Sequence, residues 1–490
     1  MLEKTRPVMY GLLAVSLVII AVITFGSGSW RNQPAGSPIL FVGVDGIEWE
    51  LALPLIAEGR MPVFERLMAE GRYGYLETLV PTASPVIWTS VATGVPKTTH
   101  GIYGFADQRR PNRVSLYDNR NRLAAALWNI LTEYDKRVLV IGWWMTWPVE
   151  PVNGVMVAQT NTMEQFDTAG GKAVWKGTLR AGMPGQVYPP ELEPDVMATL
   201  AEVEEELPLL TEEIFGRFPH PLSRLGHRLW TNCQWSFRAD RTYARVAGRL
   251  LGSDEPYDLA MVYFGGSDVV GHRFYRYMKP ELYENPPSAE QVANFGKVIE
   301  RYYCWLDGEI GRLIDRCPEN VTVILASDHG MVPVNREGRF DPDDPPANVN
   351  SAHHAEGPPG IFIAAGPWID PEPGAPTPAA LSTADLPTVG SIYDLAPTIL
   401  AMLRLPRGKD MTGRSLKELF AERFRIRYQP GPVKSHTTEA FLYSRRTLGR
   451  AASPAKGQAE QTRIEQLRSL GYLSPASEED VNGADRPAPP

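Results

Sequence analysis

Val321-Thr322-Val323-Ile324-Leu325-Ala326-Ser327-Asp328-His329-Gly330-Met331 runs from an unbroken apolar segment straight into a carboxylate and an imidazole. A continuous apolar run such as Val321–Leu325 predicts a strand buried on both faces, as in a parallel sheet. Open α/β sheets bind their ligands outside the carboxyl ends of the strands. Asp328 and His329 therefore leave the strand where chemistry is expected, and both side-chain types ligate divalent metals. Taken alone, the pair is equally well a turn, with Asp328 bonded to backbone and His329 packed. Partners elsewhere in the chain decide between the two.

Similar apolar runs occur at Ile39–Val44, Arg137–Ile141, Asp258–Phe264 and Ile361–Ala364, with helical patterns at Pro62–Gly71, Ala289–Arg316 and Ile392–Leu403 between or after them. Strands separated by helices predict an α/β domain with a mainly parallel central sheet flanked by helices. From Gly177 to Asp254 the texture changes: the acidic Glu202-Val203-Glu204-Glu205-Glu206 and amphipathic patterns, without a clear buried strand, predict a helical insertion. Asn335–Asn350 and Pro367–Pro387 read as long Pro-rich loops, more often functional than not. The expected domain spans 39–430, followed by a C-terminal segment over 431–475 and a disordered polar tail over 476–490.

The N-terminus sets the expected address. Val8–Gly26 has no charged side chain, and its length approaches the roughly 20 residues a helix needs to cross a bilayer. Lys4 and Arg6 precede it, which places residues 1–7 in the cytoplasm, 27–38 as a linker, and the domain on the periplasmic or extracellular side of a single-pass protein. Gly26-Ser27-Gly28-Ser29 offers small residues to a signal peptidase, but the apolar run is longer than the usual signal core, which favours a retained anchor. The formal net charge of -8 argues against a nucleic-acid polymer as partner. Cys233, Cys304 and Cys317 form no C-x-x-C pair; Cys304 and Cys317 are either a bridge or two buried thiols. Any metal must then be held by histidines and carboxylates. The oligomeric state has no signature in the sequence.

Such residues recur at strand ends. Asp45 follows the first strand, Asp268 and His272 follow Asp258–Phe264, Asp328 and His329 follow Val321–Leu325, and His353-His354 precede Ile361–Ala364. Each fragment is weak, since Asp-Gly is usually a turn and an i, i+4 Asp/His pair is often a helix-surface contact. Together, counting one of the last two histidines, they supply three carboxylates and three imidazoles, enough for two divalent ions with N/O coordination. Zinc suits this set, and manganese accepts a similar one. Ser84, before Pro85, sits at the start of a predicted helix, where backbone N–H groups attract an anion; it is either a hydroxyl nucleophile or only an N-cap.

The ordered series Val44-Asp45-Gly46, Pro81-Thr82-x-Ser84-Pro85, Thr93-Gly94 with His100-Gly101-Ile102, Asp268-x-x-Gly271-His272, Ser327-Asp328-His329-Gly330 and a later His resembles the alkaline phosphatase superfamily. Within it the series is most similar to the type I phosphodiesterase/nucleotide pyrophosphatase branch. Tyr393–Leu400 with Met411-Thr412-Gly413-Arg414, and Leu467–Leu473, resemble segments near the end of the superfamily's core and in its C-terminal tail. Inside the insertion only Val187–Leu192 looks familiar. The resemblance implies an enzyme acting on small phosphate esters, with one ion held by Asp45, Asp328, His329 and Ser84. It implies a second held by Asp268, His272 and a later histidine; Ser351-Ala352-His353-His354 matches a pattern whose fourth residue ligates, which selects His354.

Departures limit what is carried over. Sulfatases of this fold need Cys or Ser followed by x-Pro-x-Arg, whereas Pro85 directly follows Ser84 and position 88 is Trp88. Nucleotide-cleaving relatives often use Thr as nucleophile and carry an Asn shortly after His-Gly-Ile; this chain has Ser84, and Tyr103-Gly104-Phe105-Ala106-Asp107 after Ile102. A membrane lipid or glycan phosphodiester, or transfer of the phospho group to an alcohol, is therefore as consistent as a nucleotide. A tethered binding module without activity is the reading from another class, and a lost ligand would favour it; none of the six is lost.

Overall fold

The computed structural model describes residues 37–107, 115–159, 166–167, 174–175, 179–216, 223–231, 233–253, 255–334, 350–371, 381–425 and 430–451. The segments 1–7, 8–26 and most of 27–38, the loop 335–349, the middle of the 367–387 loop, Leu467–Leu473 and the 476–490 tail lie outside the described residues. Among the described residues no helix is long and apolar enough to cross a membrane.

Nine strands form the central sheet: β1 (Ile39–Val44), β2 (Gly71–Glu77), β3 (Val138–Ile141), β4 (Gly154–Val157), β5 (Val187–Tyr188), β6 (Leu259–Phe264), β7 (Thr322–Ala326), β8 (Gly360–Ala365) and β9 (Thr388–Ser391). Their order is β9-β2-β8-β7-β1-β6-β3-β4-β5. β1 lies between β6 and β7 and pairs with both in parallel, Ile39 opposite Leu259 and Thr322. Only β8, antiparallel to β7 and β2, and the edge strand β5, antiparallel to β4, break the common direction. The mainly parallel sheet is as expected from the apolar runs.

Alternation along the strands divides the core in two. Leu40, Val42 and Val44 of β1 face one side with Ala260, Val262 and Phe264 of β6; Ile39 and Phe41 face the other with Leu259, Met261 and Tyr263. The first face is covered by α2 (Glu193–Phe215), α3 (Gln234–Leu251), α4 (Gly266–Met278) and α5 (Val298–Ile314), the second by α1 (Ser84–Thr93) and α6 (Leu395–Met402). Burying strands on both faces is what permits continuous apolar runs in β1, β6 and β7.

Several expectations need correction. The pattern over Ala289–Arg316 is two helices, Ala289–Phe295 and α5, parted at Gly296-Lys297. Gly71, expected to end a helix, opens β2, and the Ile392–Leu403 helix begins as a 3-10 turn over Ile392–Asp394. The 177–254 segment is helical as expected, but it also supplies β5, and α3 is part of the sheet's cover: Phe237 stacks 5.3 Å from Tyr302, and Tyr243 Oη donates to Ala158 O at 3.1 Å. Its apolar residues complete the first-face core, so the segment is integral. All three cysteines are free thiols, Cys233 buried and the others half-buried.

Candidate metal centre and nucleophile

The site lies over the carboxyl ends of β1, β6 and β7, where helices from both faces of the sheet converge. Asp45 follows Val44 directly, its N–H bonded to Phe264 O at 2.9 Å, so the ladder between adjacent parallel strands fixes its backbone. Asp328 and His329 leave β7 on the other side of β1. Asp328 Oδ1 accepts the Gly46 N–H at 3.2 Å, and His329 Nε2 lies 3.3 Å from both Asp45 Oδ1 and Asp328 Oδ2. These three residues are essentially inaccessible and form one group of convergent ligand atoms.

The other three come from α4 and the loop before β8. Asp268 and His272, one helical turn apart, face the same way, with His272 Nε2 3.3 Å from Asp268 Oδ1. His354 Nε2 is 3.7 Å from the same oxygen, and its ring stacks on His329 with centroids 4.0 Å apart. Asp268, His329 and His354 form the second convergent group. His353 is half-buried and pairs with Val332 in a short antiparallel ladder. Because β8 runs against its neighbours, its amino end, not its carboxyl end, points to the site, and that is why a loop preceding a strand contributes.

The second nitrogens of the histidines are oriented from behind. His272 Nδ1 lies 2.7 Å from Ala352 O, and His354 Nδ1 lies 2.9 Å from Thr82 Oγ1, a side chain in the segment leading to Ser84. Such contacts fix which nitrogen is turned to a metal. Two backbone features bring the halves together. Gly46 has φ +70, and a Cβ there would sit 2.8 Å from Asp268 Cα, so strand end and helix start touch main chain to main chain. Asp240 of α3 accepts the N–H groups of Gly265 and Gly266 at 3.1 and 2.9 Å, which caps α4 from a neighbouring helix.

Ser84 opens α1, a helix buried along its whole length. Its hydroxyl does not cap the helix; Ala83 is the N-cap, and Ser84 Oγ instead donates to Asp45 Oδ1 at 3.3 Å. The cap alternative is thereby removed, and Pro85 occupies the second helical position. Trp88, one turn on, donates Nε1–H to Asp45 Oδ2 at 3.0 Å. Tyr263 also donates to Asp45 Oδ2, and burial, reinforced by the Asp45 charge, holds its hydroxyl far above the ordinary range.

The electrostatics match a cation site. Asp268 Oδ1, Asp328 Oδ2 and His329 Nε2 are buried without a hydrogen-bond partner, although buried polar atoms are normally satisfied. Burial and the neighbouring Asp45 charge push Asp328 well above the carboxylate range. Burial opposes protonation of His329, but the Asp328 and Asp45 charges outweigh it and raise the imidazole to about 10. Three carboxylates crowded out of water require compensating positive charge, and the N/O donor set suits divalent ions. Glu48 supports this side: its Oε2 accepts the Met331 N–H at 2.8 Å, and burial raises its carboxyl to about 7.

The two convergent groups contain five of the residues named from the sequence, with His329 shared by both; His272 lies beside Asp268 but outside the groups, Ser84 contacts Asp45, and Thr82, Trp88, Tyr263, Asp240 and Glu48 were not named as site residues. For Trp88 a signal existed, since four residues after Ser84 on a helix is the same face. The others meet partners far along the chain.

Comparison with known proteins agrees with this architecture. Residues 39–375 match the family described as type I phosphodiesterase / nucleotide pyrophosphatase. Two curated relatives, the 2,3-bisphosphoglycerate-independent phosphoglycerate mutases of Gloeobacter violaceus and Rippkaea orientalis, are 33% identical over 135 residues and 31% identical over 137. These stretches cover 27% and 28% of this chain, and the chain spans only 22% and 23% of those proteins. The crystal structure of wild-type alkaline phosphatase PafA superposes with a TM-score of 0.52 at 13% identity, over 79% of this chain and 100% of that one, a likeness of fold. With a family match that spans eight of the nine sheet strands and every site residue, the chain belongs to the type I phosphodiesterase/nucleotide pyrophosphatase family.

Proposed function

We propose that this protein is a membrane-anchored phosphoric ester hydrolase in which Ser84 is the nucleophile and two divalent ions, zinc or manganese, are held by Asp45, Asp328 and His329 and by Asp268, His272 and His354. The observation that carries this reading is the Ser84 hydroxyl, turned away from its helix and onto Asp45 Oδ1, at the rim of two convergent carboxylate/imidazole groups. When bound, the ions would lower the pKa of the Ser84 hydroxyl and offset charge on the phosphoryl oxygens.

The chain's own residues define the course of the reaction. Ser84 Oγ forms a bond to phosphorus as the ester P–O bond breaks, and the Ser84 hydroxyl proton passes through solvent to the departing alkoxide, which leaves as the alcohol. Water then attacks phosphorus, the Oγ–P bond breaks, and the proton lost by that water passes to Ser84 Oγ. Ser84 sits at the amino end of α1, whose positive helix end favours the anionic phosphoryl group. Partial similarity to phosphoglycerate mutases supports a second reading, in which an alcohol replaces water as acceptor. The charge-free Val8–Gly26 run behind Lys4 and Arg6 supports a retained anchor and an extracytoplasmic domain.

The test is a panel of aryl phosphomonoester, aryl phosphodiester and aryl sulfate presented to the detergent-purified full chain with Zn2+ or Mn2+, with and without an alcohol acceptor. Hydrolysis of a phosphate ester, a trapped phosphoryl group on the Ser84 peptide, and loss of about a thousandfold or more in Ser84→Ala are expected. Equal turnover by wild type and Ser84→Ala would remove the nucleophile assignment. Protease protection of the domain in sealed vesicles tests the topology.

A further inference from the structure

The carboxylate of Asp45 is held unevenly. Its Oδ1 faces the site, 3.3 Å from Ser84 Oγ and 3.3 Å from His329 Nε2. Its Oδ2 turns into the core beneath α1, where it accepts Trp88 Nε1–H at 3.0 Å and the Tyr263 hydroxyl. Tyr263 Oη in turn accepts Trp144 Nε1–H at 2.8 Å. An indole nitrogen only donates, so the direction of this chain is fixed: Trp144 to Tyr263 to Asp45, with Trp88 as the second donor. Two donors on Oδ2 occupy both its in-plane lone pairs, which leaves Oδ1 as the oxygen free to ligate.

The donors are themselves fixed. Trp88 packs edge-on against Tyr263 and Trp143, with ring centroids 5.3 and 5.2 Å apart, and Trp143 Nε1 donates to Trp88 O at 3.2 Å. Space for the indoles comes from Gly43 in β1, where a Cβ would lie 2.8 Å from Trp88 Cζ3. Trp88, Tyr263 and Asp45 are all buried.

We infer that Trp88 and Tyr263 are positioning residues that restrict Asp45 to one-oxygen ligation, and so keep Oδ1 shared between the strand-side ion and the Ser84 hydroxyl. The inference rests on the two-ion reading above. Losing a donor lets the carboxylate rotate, swing toward two-oxygen contact, and release its hold on Ser84. Outer hydrogen-bond partners of metal ligands commonly change ion affinity 10- to 100-fold, about the size expected here.

The experiment measures Zn2+ stoichiometry and affinity by equilibrium dialysis, and the visible bands of the Co2+-loaded protein, for full-length wild type, Tyr263→Phe, Trp88→Phe and Trp144→Phe. Tyr263→Phe keeps the ring and removes the donor to Asp45 together with the acceptor of Trp144 Nε1–H, a loss for which Trp144→Phe is the control. Tyr263→Phe is expected to bind one of two ions about 10- to 100-fold more weakly and the other unchanged, with altered Co2+ bands. Excess Zn2+ restores its turnover but not that of Ser84→Ala. Trp144→Phe, which leaves the Tyr263 donor in place, has a smaller effect. Unchanged affinity and bands in Tyr263→Phe, or equal weakening of both ions, overturns the inference. A wild-type protein that binds fewer than two ions overturns the two-ion reading instead.

Discussion

The two halves of the site are held by different means. Asp45 and Asp328 leave the adjacent parallel strands β1 and β7, so the backbone ladder sets their places. Asp268 and His272 ride on α4, whose amino end is tied by Asp240, and His354 comes from a loop steadied through Thr82. The strand half thus inherits its geometry from the sheet, whereas the helix half depends on side chains of other elements. A sheet ladder shares strain among many bonds; a side-chain cap rests on one or two.

This contrast orders the expected effects. Asp328→Ala should have the largest, abolishing one bound ion and lowering kcat/KM about a thousandfold or more, as steady-state assays and metal analysis would register. Next comes Glu48, whose carboxyl is raised by burial from 4.5 to about 7. The folded state then holds the proton more tightly than the unfolded chain, so stability falls as pH rises from about 4.5 to about 7, by something of order 3 kcal/mol. Denaturant titrations of chelator-treated Glu48→Gln should show that slope flattened; an unchanged slope would mean the strand half does not store this burial cost.

Smaller effects are expected in the helix half. Asp240→Ala removes the cap of α4 and should weaken one ion about 10- to 100-fold while leaving the other, a difference visible in competition with a metal indicator. Equal weakening of both would erase the distinction between the halves. Thr82→Val should have the least effect, about tenfold on the ion near His354, because His272 and Asp268 remain in place.

How much of this was readable follows from burial and chain distance. β1, β6, β7 and β8 announce themselves as apolar runs because both faces are covered. β2, as Gly-Arg-Tyr-Gly-Tyr-Leu-Glu, has polar residues and glycines and shows no apolar run, and its first residue, Gly71, closes the preceding helical pattern; β5 is only Val187–Tyr188 at an edge. The ligands were legible because they sit at strand ends or at helical spacing. Their supports were not: Tyr263 reaches Asp45, and Met331 reaches Glu48, across more than two hundred residues, and no local spacing records such a contact. The direction of β8 was equally hidden, although it decides that His354 can reach the site.

Gly46 has a bearing on how such a protein can diversify. Since the end of β1 abuts the first turn of α4 without room for a methyl group, the gap between the two ligand groups is gauged by main chain rather than by rotamers. Surrounding loops can lengthen, shorten or change charge while that gauge stays constant. The same contact makes position 46 intolerant of a side chain: a single added carbon there would press the two halves apart.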